Sequence, residues 1–149
     1  MLTVALARHL AAHIVGLTFA EDGPGGNVFV EHMPSTPDRA VALFTYGGVE
    51  QPTLAPTDIP LVQVRVRSIR HDPRPGWERA REIYDVLAGL DNVWLDPAGD
   101  ARTLVHSVTP LQSTPVGLGQ DQQGRHEWAL NFRLRVHNPT RHRPPYAPV

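Results

Sequence analysis

The sequence predicts an α+β fold: one mixed, largely antiparallel β-sheet with two helices packed against it and an extended proline-rich C-terminal tail. Two segments, residues 2–14 and 72–89, repeat apolar residues at helical spacing. Several others alternate apolar and polar residues, as half-buried strands do. The predicted order is helix, two or three strands, helix and three strands, which favours a single sheet carrying both helices.

The first third of the chain predicts one helix and two strands. Leucines recur every four residues from Leu2 to Leu10, which is typical of an amphipathic helix over residues 2–14. After a turn-rich stretch, residues 28–33 predict a short strand. Residues 40–46 carry apolar side chains on both faces, which indicates a central strand of the sheet.

A strongly alternating strand is predicted for residues 61–70, and the second helix follows it. The alternation slips at Ser68, which favours a β-bulge there. Asp72 is placed to cap the helix, Pro73 suits its first turn, and Gly89 favours a left-handed C-terminal cap. One buried face of this helix is expected to hold its apolar residues Trp77, Ala80, Ile83, Tyr84 and Leu87.

Three more strands are predicted in the second half of the chain. Residues 92–95 and 102–112 flank a tight turn, and residues 127–137 alternate strictly. Between the last two strands, residues 114–125 are rich in glycine and predict a loop.

Length and cysteine content limit the organisation of the chain. A chain of 149 residues buries roughly 70% of its unfolded surface, which is enough for one core. We expect a single domain over residues 1–137, followed by the proline-rich tail of residues 138–149. The absence of cysteine excludes disulfides, thiol nucleophiles and thiolate metal sites.

The charge balance excludes a strong overall field. The formal net charge is −1, so no long-range attraction to nucleic acid or to an anionic membrane is expected. All 14 basic residues are arginine, a side chain suited to planar, bidentate contacts. The apolar N-terminal stretch is interrupted by Arg8, His9 and His13, so we expect a soluble chain with no membrane span or targeting signal.

Two rows of polar residues stand out on the predicted sheet. Gln63, Arg65 and Arg67 occupy one face of the 61–70 strand, and a second row lies on the 127–137 strand at Asn131, Arg133 and Arg135. Strands of one sheet turn their apolar faces to the same core, so both rows should emerge on the opposite surface. Two interpretations stay open: a solvated face, or a surface that meets carboxylates or amides of another subunit.

No pattern of residues predicts an active site or a cofactor site. His9 and His13 have a spacing that can share a metal, but no third ligand is suggested. Asp121 and Arg125 lie with His126 around the glycine-rich loop, where local pairing explains them better than acid-base catalysis does. We therefore predict a protein that is not an enzyme and that has no cofactor and no metal.

Three segments of the sequence carry a joint resemblance to a known family. They read HMPSTPDRAVALFTYGG at residues 32–48, VQVRVRSIRHDPRPGWERAREIYDVL at 62–87 and GLGQDQQGRHEWALNFRLRV at 117–136. Taken together, they resemble the minor capsid or tail terminator family of long-tailed bacteriophages. The resemblance implies a structural protein that forms a hexameric ring on the last tier of the tail tube. There it would stop further polymerisation and present a surface to the connector proteins of the head.

The resemblance also implies partners and a location. They are further copies of the chain, the tail tube protein and head-tail connector proteins, with DNA passing only transiently through the ring and no membrane. The protein would be made in the host cytoplasm and reside in the virion neck. The residues expected at partner interfaces are Gln63, Arg65, Arg67, Asn131, Arg133, Arg135, Asp121 and Arg125.

Two other functions are compatible with the same residues. A head-side neck or stopper protein would use a similar docking surface in a neighbouring position. A nucleic-acid-binding module would use the arginine rows to contact phosphates, with an affinity that falls steeply with salt.

Overall fold

The computed structural model describes residues 1–22, 25–50 and 55–143. Within these ranges the chain forms two α-helices and eight strands around one sheet, which confirms the predicted α+β class. The helices are α1 (Leu2–His13) and α2 (Arg74–Ala88). The strands are β1 (Val28–Val30), β2 (Ala40–Gly48), β3 (Thr57–Asp58), β4 (Pro60–Arg70), β5 (Asp91–Leu95), β6 (Thr103–Pro110), β7 (Val116–Gln120) and β8 (Arg125–His137).

The sheet is organised around the long strand β8. The strand order is β1-β2-β4-β8-β6-β5, and only β1 and β2 pair in parallel among the described strands. On one side of β8 lie β4 and the short β3. On the other side, β6 pairs with the C-terminal half of β8 and β7 with its N-terminal half. Strand β8 is therefore paired with a neighbouring strand on at least one side along its length.

The core lies between the two helices and the apolar side of the sheet. Leu6 and Leu10 of α1 are buried with Ile83 of α2 against Val64 and Leu130 of the central strands. Helix α1 contacts β1 and β2 near one edge of the sheet and also β5 at the other edge. The sheet therefore curls around the helices, and only one of its sides is covered by them.

The bulge in β4 positions the second helix. The register between β4 and β8 shifts between Arg67 and Arg70, where the sequence predicts a bulge, and Ser68 is fully buried there. The Ser68 hydroxyl donates to the Asp72 carbonyl and accepts the amide N–H of Gly76 at 2.9 Å. It thus satisfies one of the N–H groups that the first turn of α2 leaves without an intrahelical partner.

The packing of α2 differs from the predicted face. Gly76, Ala80, Ile83 and Leu87 are its buried residues, whereas Trp77 is 39% exposed. A methyl group on Gly76 would lie 2.7 Å from the Ser68 Cβ, so the helix approaches the sheet more closely than a tryptophan at that position would allow. Ala80, Ile83 and Leu87 are buried as predicted and Tyr84 packs against the core, so the difference is confined to Gly76, which is buried in place of Trp77.

Local backbone geometry accounts for three further differences. β1 ends at Val30 because Glu31 has a φ of 60°, outside the extended region. Gly89 has a φ of −88°, so the predicted left-handed cap is wrong. Part of the predicted loop 114–125 is strand β7, because the N-terminal half of β8 offers it an edge.

The start of the proline-rich segment is held against strand β3 and the residues just before it. The backbone N–H of Asn138 donates to the Pro56 carbonyl at 2.8 Å. The Arg143 guanidinium contacts the Ala55 carbonyl and pairs with Asp58 at 2.9 Å. The remainder of the predicted tail, residues 144–149, lies outside the described residues. The division into a domain of residues 1–137 and a tail stays a prediction.

Candidate partner-binding face

One side of the sheet carries both predicted polar rows. The register pairs Gln63 with Asn131 and Arg65 with Ala129, and residues directly opposite in antiparallel strands share a face. Both helices pack in the core on the other side, and among the described residues no helix covers this one. We call this side the outer face; it carries Gln63, Arg65, Asn131, Arg133 and Arg135.

A network of polar side chains fixes the centre of the outer face. Asn131 Oδ1 accepts the Tyr46 hydroxyl and Gln63 Nε2, each at 3.1 Å. Gln63 Oε1 accepts Arg65 Nε at 2.9 Å, and the Arg65 guanidinium lies 5.5 Å from the centre of the Phe44 ring. Partial burial raises the pKa of Tyr46, which keeps its hydroxyl a donor. The network holds Arg65 in one orientation, and its terminal nitrogens make no hydrogen bond with any described residue.

Arg133 and Arg135 point outward from the outer face. Both are exposed, and neither makes a hydrogen bond, an ion pair or a ring contact with any described residue. Neutral residues lie opposite them on β6, since Arg133 faces Thr109 and Arg135 faces Ser107. Among the pairings of β8 with β4 and β6, arginines face each other only at Arg70 and Arg125, so cross-strand repulsion at Arg133 and Arg135 is small. These two guanidinium groups are available to carboxylates of a partner.

Arg67 belongs to the same row, but its side chain is buried and binds backbone carbonyls within the protein. Only 3% of Arg67 is exposed. Its guanidinium donates to the carbonyl oxygens of Pro34, Pro37 and Asp38 at 2.6–2.8 Å. Burial, together with the nearby charge of Arg125, lowers its pKa. Arg67 thereby fixes the loop between β1 and β2, and we leave it out of the surface proposed below.

Arg125 and Asp121 form a second internal contact beside that loop. Arg125 is 3% exposed; its Nε donates to Asp121 at 2.8 Å, and its Nη1 donates to the Ser35 carbonyl at 2.6 Å and to Asp38 at 3.1 Å. Burial alone would raise the pKa of Asp121, but backbone N–H groups and Arg125 outweigh it and leave the pKa below its usual value. Arg125 and Asp121 therefore bind residues of the same chain, and their contacts join the β7–β8 turn to the loop before β2.

The structure adds residues to the outer face that the sequence pattern does not reveal. Tyr46 and Val116 are 44% and 45% exposed there. Gln112, from the connection between β6 and β7, accepts the Asn131 amide at 3.0 Å, while its own buried Nε2 has no acceptor among the described residues. The even spacing of Tyr46 with Phe44 on β2 could have indicated Tyr46. Gln112 lies at the end of the predicted strand 102–112, beyond the observed end of β6 at Pro110, and no pattern marks it as a partner of Asn131. The outer face therefore offers more donors than acceptors.

The described residues hold no group suited to a metal site. No cluster of three or more histidine, aspartate or glutamate side chains lies within ligand distance in these ranges. His9 and His13 stack at 4.1 Å, and burial, with the charge of His13, lowers the pKa of His9 to about 4. His126 contacts Gln120 at 2.9 Å. Neither described helix is long and apolar enough to cross a membrane.

Comparison with known families assigns the chain to a class. A family model described as bacteriophage tail terminator protein matches residues 13–138. A comparison with curated proteins gave no match. The match places the chain among structural, non-enzymatic components of the phage virion tail. More specifically, the chain belongs to the bacteriophage tail terminator family, which confirms the resemblance seen in the sequence. Membership implies an interaction with the tail tube.

Proposed function

We propose that the protein forms a ring of six copies on the last tier of the tail tube. The ring stops further tube polymerisation and presents its free side to the connector proteins of the head, so the protein resides in the virion neck. Family membership supports the position at the tube end. It also favours a tail-side role over that of a head-side stopper.

The outer face is the observation that supports assembly. It combines three arginines that make no ion pair with any described residue, Arg65, Arg133 and Arg135, with the exposed side chains of Tyr46 and Val116. Arginine and aromatic residues are enriched in protein interfaces, and lysine is depleted there. A face of this composition, which no described helix covers, suits contact with protein better than contact with water alone.

Two measurements test the ring. Light scattering coupled to size-exclusion chromatography gives the number of copies in solution, and electron microscopy of tails gives the location of the protein. We expect a discrete ring at one end of each tail, and tubes of uncontrolled length when the protein is omitted. A protein that stays monomeric and never decorates tail ends would contradict the proposal. DNA binding that weakens steeply with salt would instead indicate a nucleic-acid-binding function of the outer face.

A further inference from the structure

A second charged surface lies on the exposed side of helix α2. Glu78, Glu82 and Asp85 are exposed and spaced so that they align along one side of the helix. Glu82 has a partner, Arg79, at 3.6 Å, whereas Glu78 and Asp85 make no hydrogen bond or ion pair with any described residue. We call these three residues the acidic stripe. Trp77, 39% exposed, borders it.

The acidic stripe and the outer face lie on opposite sides of the same strands. Helix α2 packs on β4, β8 and β6 from the core side. The other side of β4 carries Arg65, and the other side of β8 carries Arg133 and Arg135. One subunit thus presents the acidic stripe in one direction and the arginines of the outer face in the other.

We propose that the outer face of one copy docks onto the acidic stripe of the next copy. This inference rests on the proposed ring and names the two surfaces that build it. A two-fold contact of the outer face with itself would oppose arginine to arginine, and a two-fold contact of the stripe would oppose carboxylate to carboxylate. The head-to-tail contact instead pairs opposite charges at every interface, and it closes into a ring when the rotation between copies closes.

The chemistry of the two surfaces is complementary beyond their charge. A guanidinium group donates two parallel hydrogen bonds to a carboxylate, which fixes the orientation of the partner. Each surface also offers an exposed aromatic side chain, Tyr46 on the outer face and Trp77 beside the acidic stripe. Aromatic and arginine side chains at the centre of a contact commonly contribute most of the binding energy.

The test exchanges the charges of the two surfaces. The first variant carries Arg133→Glu and Arg135→Glu, the second carries Glu78→Arg and Asp85→Arg, and the third combines all four changes. The control carries Arg39→Glu and Arg141→Glu, two exposed arginines that make no hydrogen bond or ion pair with any described residue. Thermal unfolding establishes that each variant is folded before its assembly is measured, in solution and on purified tail tubes.

The first and second variants should each lose at least about tenfold in self-association, because like charges then meet at every contact. The control should assemble as the wild-type protein does. The third variant should recover the ring, and mixing the first and second variants should give rings with equal amounts of both, because every contact in an alternating ring is again complementary.

The outcomes separate the two proposals. A wild-type protein that assembles neither in solution nor on tubes overturns the ring, and this contact with it. Rings that form normally in the first and second variants overturn the contact and leave the ring intact. Loss of assembly in the first variant without recovery in either the third variant or the mixture means that the arginines meet another surface, which also overturns the contact.

Discussion

Replacing Arg125 by methionine tests whether buried arginines hold the fold. The change retains an unbranched apolar side chain but removes the guanidinium group from Asp121, Asp38 and the Ser35 carbonyl, which it reaches at 2.6–3.1 Å. The carbonyl loses a donor, and the two carboxylates lose a cation beside them. An unbranched apolar side chain still occupies the buried site, so the variant should fold, but with lower stability.

The magnitude follows from the burial of each partner. Removing one member of a fully buried ion pair costs about 3–5 kcal/mol. Here the arginine side chain is 4% exposed, but those of Asp121 and Asp38 are 24% and 44% exposed, so water compensates part of the loss. We therefore expect the free energy of unfolding to fall by about 2–3 kcal/mol. At about 2–4 °C per kcal/mol for a chain of this size, Tm should fall by about 4–12 °C.

Thermal and urea unfolding of both proteins measure the difference. The matched control is Arg74→Met, which removes an arginine that pairs with Asp72 at 3.0 Å but whose side chain is 82% exposed. Its Tm should change little, because exposed ion pairs contribute little to stability. Equal losses in the two variants would refute the argument that burial decides the contribution of each arginine.

Three smaller changes test local packing and titration. Gly76→Ala should lower the free energy of unfolding by about 1–3 kcal/mol, because its methyl group would lie 2.7 Å from Ser68 Cβ; Gly89→Ala, 3.8 Å from its nearest neighbour, should leave Tm unchanged or raise it. Ser68→Ala should cost about 1–2 kcal/mol in urea unfolding, since the Gly76 N–H loses its acceptor. His9, whose pKa falls from 6.5 to about 4 on folding, binds its proton more readily in the unfolded chain. Stability should therefore decline as pH falls from 6.5 to 4, by at most about 3 kcal/mol and by less because the ring is partly exposed. His9→Gln should remove this decline.

The fold was predictable because its elements repeat apolar residues at regular spacing. The alternation in residues 61–70 and 127–137 predicted both strands and their shared face, and the slip at Ser68 predicted the bulge. Strand β7 was not predicted, since Gly117 and Gly119 favour a turn over a strand and its pairing depends on the length of β8. The exposure of Trp77 was likewise set by the close approach of Gly76 to the sheet, which depends on tertiary packing.

The candidate site was predictable only in part, for a related reason. Alternation shows that Arg65, Arg67 and Arg133 leave the apolar side of their strands, but not what each side chain then meets. Arg67 reaches three carbonyl oxygens of a loop about 30 residues away along the chain. A sequence pattern cannot show such a distant contact, so it assigns the same role to a buried arginine and to an exposed one.

Ionic strength separates these two sets of arginines in one experiment. Charges in water are screened over about 10 Å at 0.1 M salt and about 3 Å at 1 M, whereas buried pairs are screened much less. The contacts of Arg67 and Arg125 are buried, while Arg133 and Arg135 are exposed in the single chain. If the outer face docks onto the acidic stripe, added salt should weaken assembly measured by light scattering while the Tm of the dissociated protein changes little. If assembly and the Tm of the dissociated protein both fall as salt rises, the same arginines stabilise the ring and the fold. That result would contradict the assignment of buried arginines to the fold and exposed arginines to the interface.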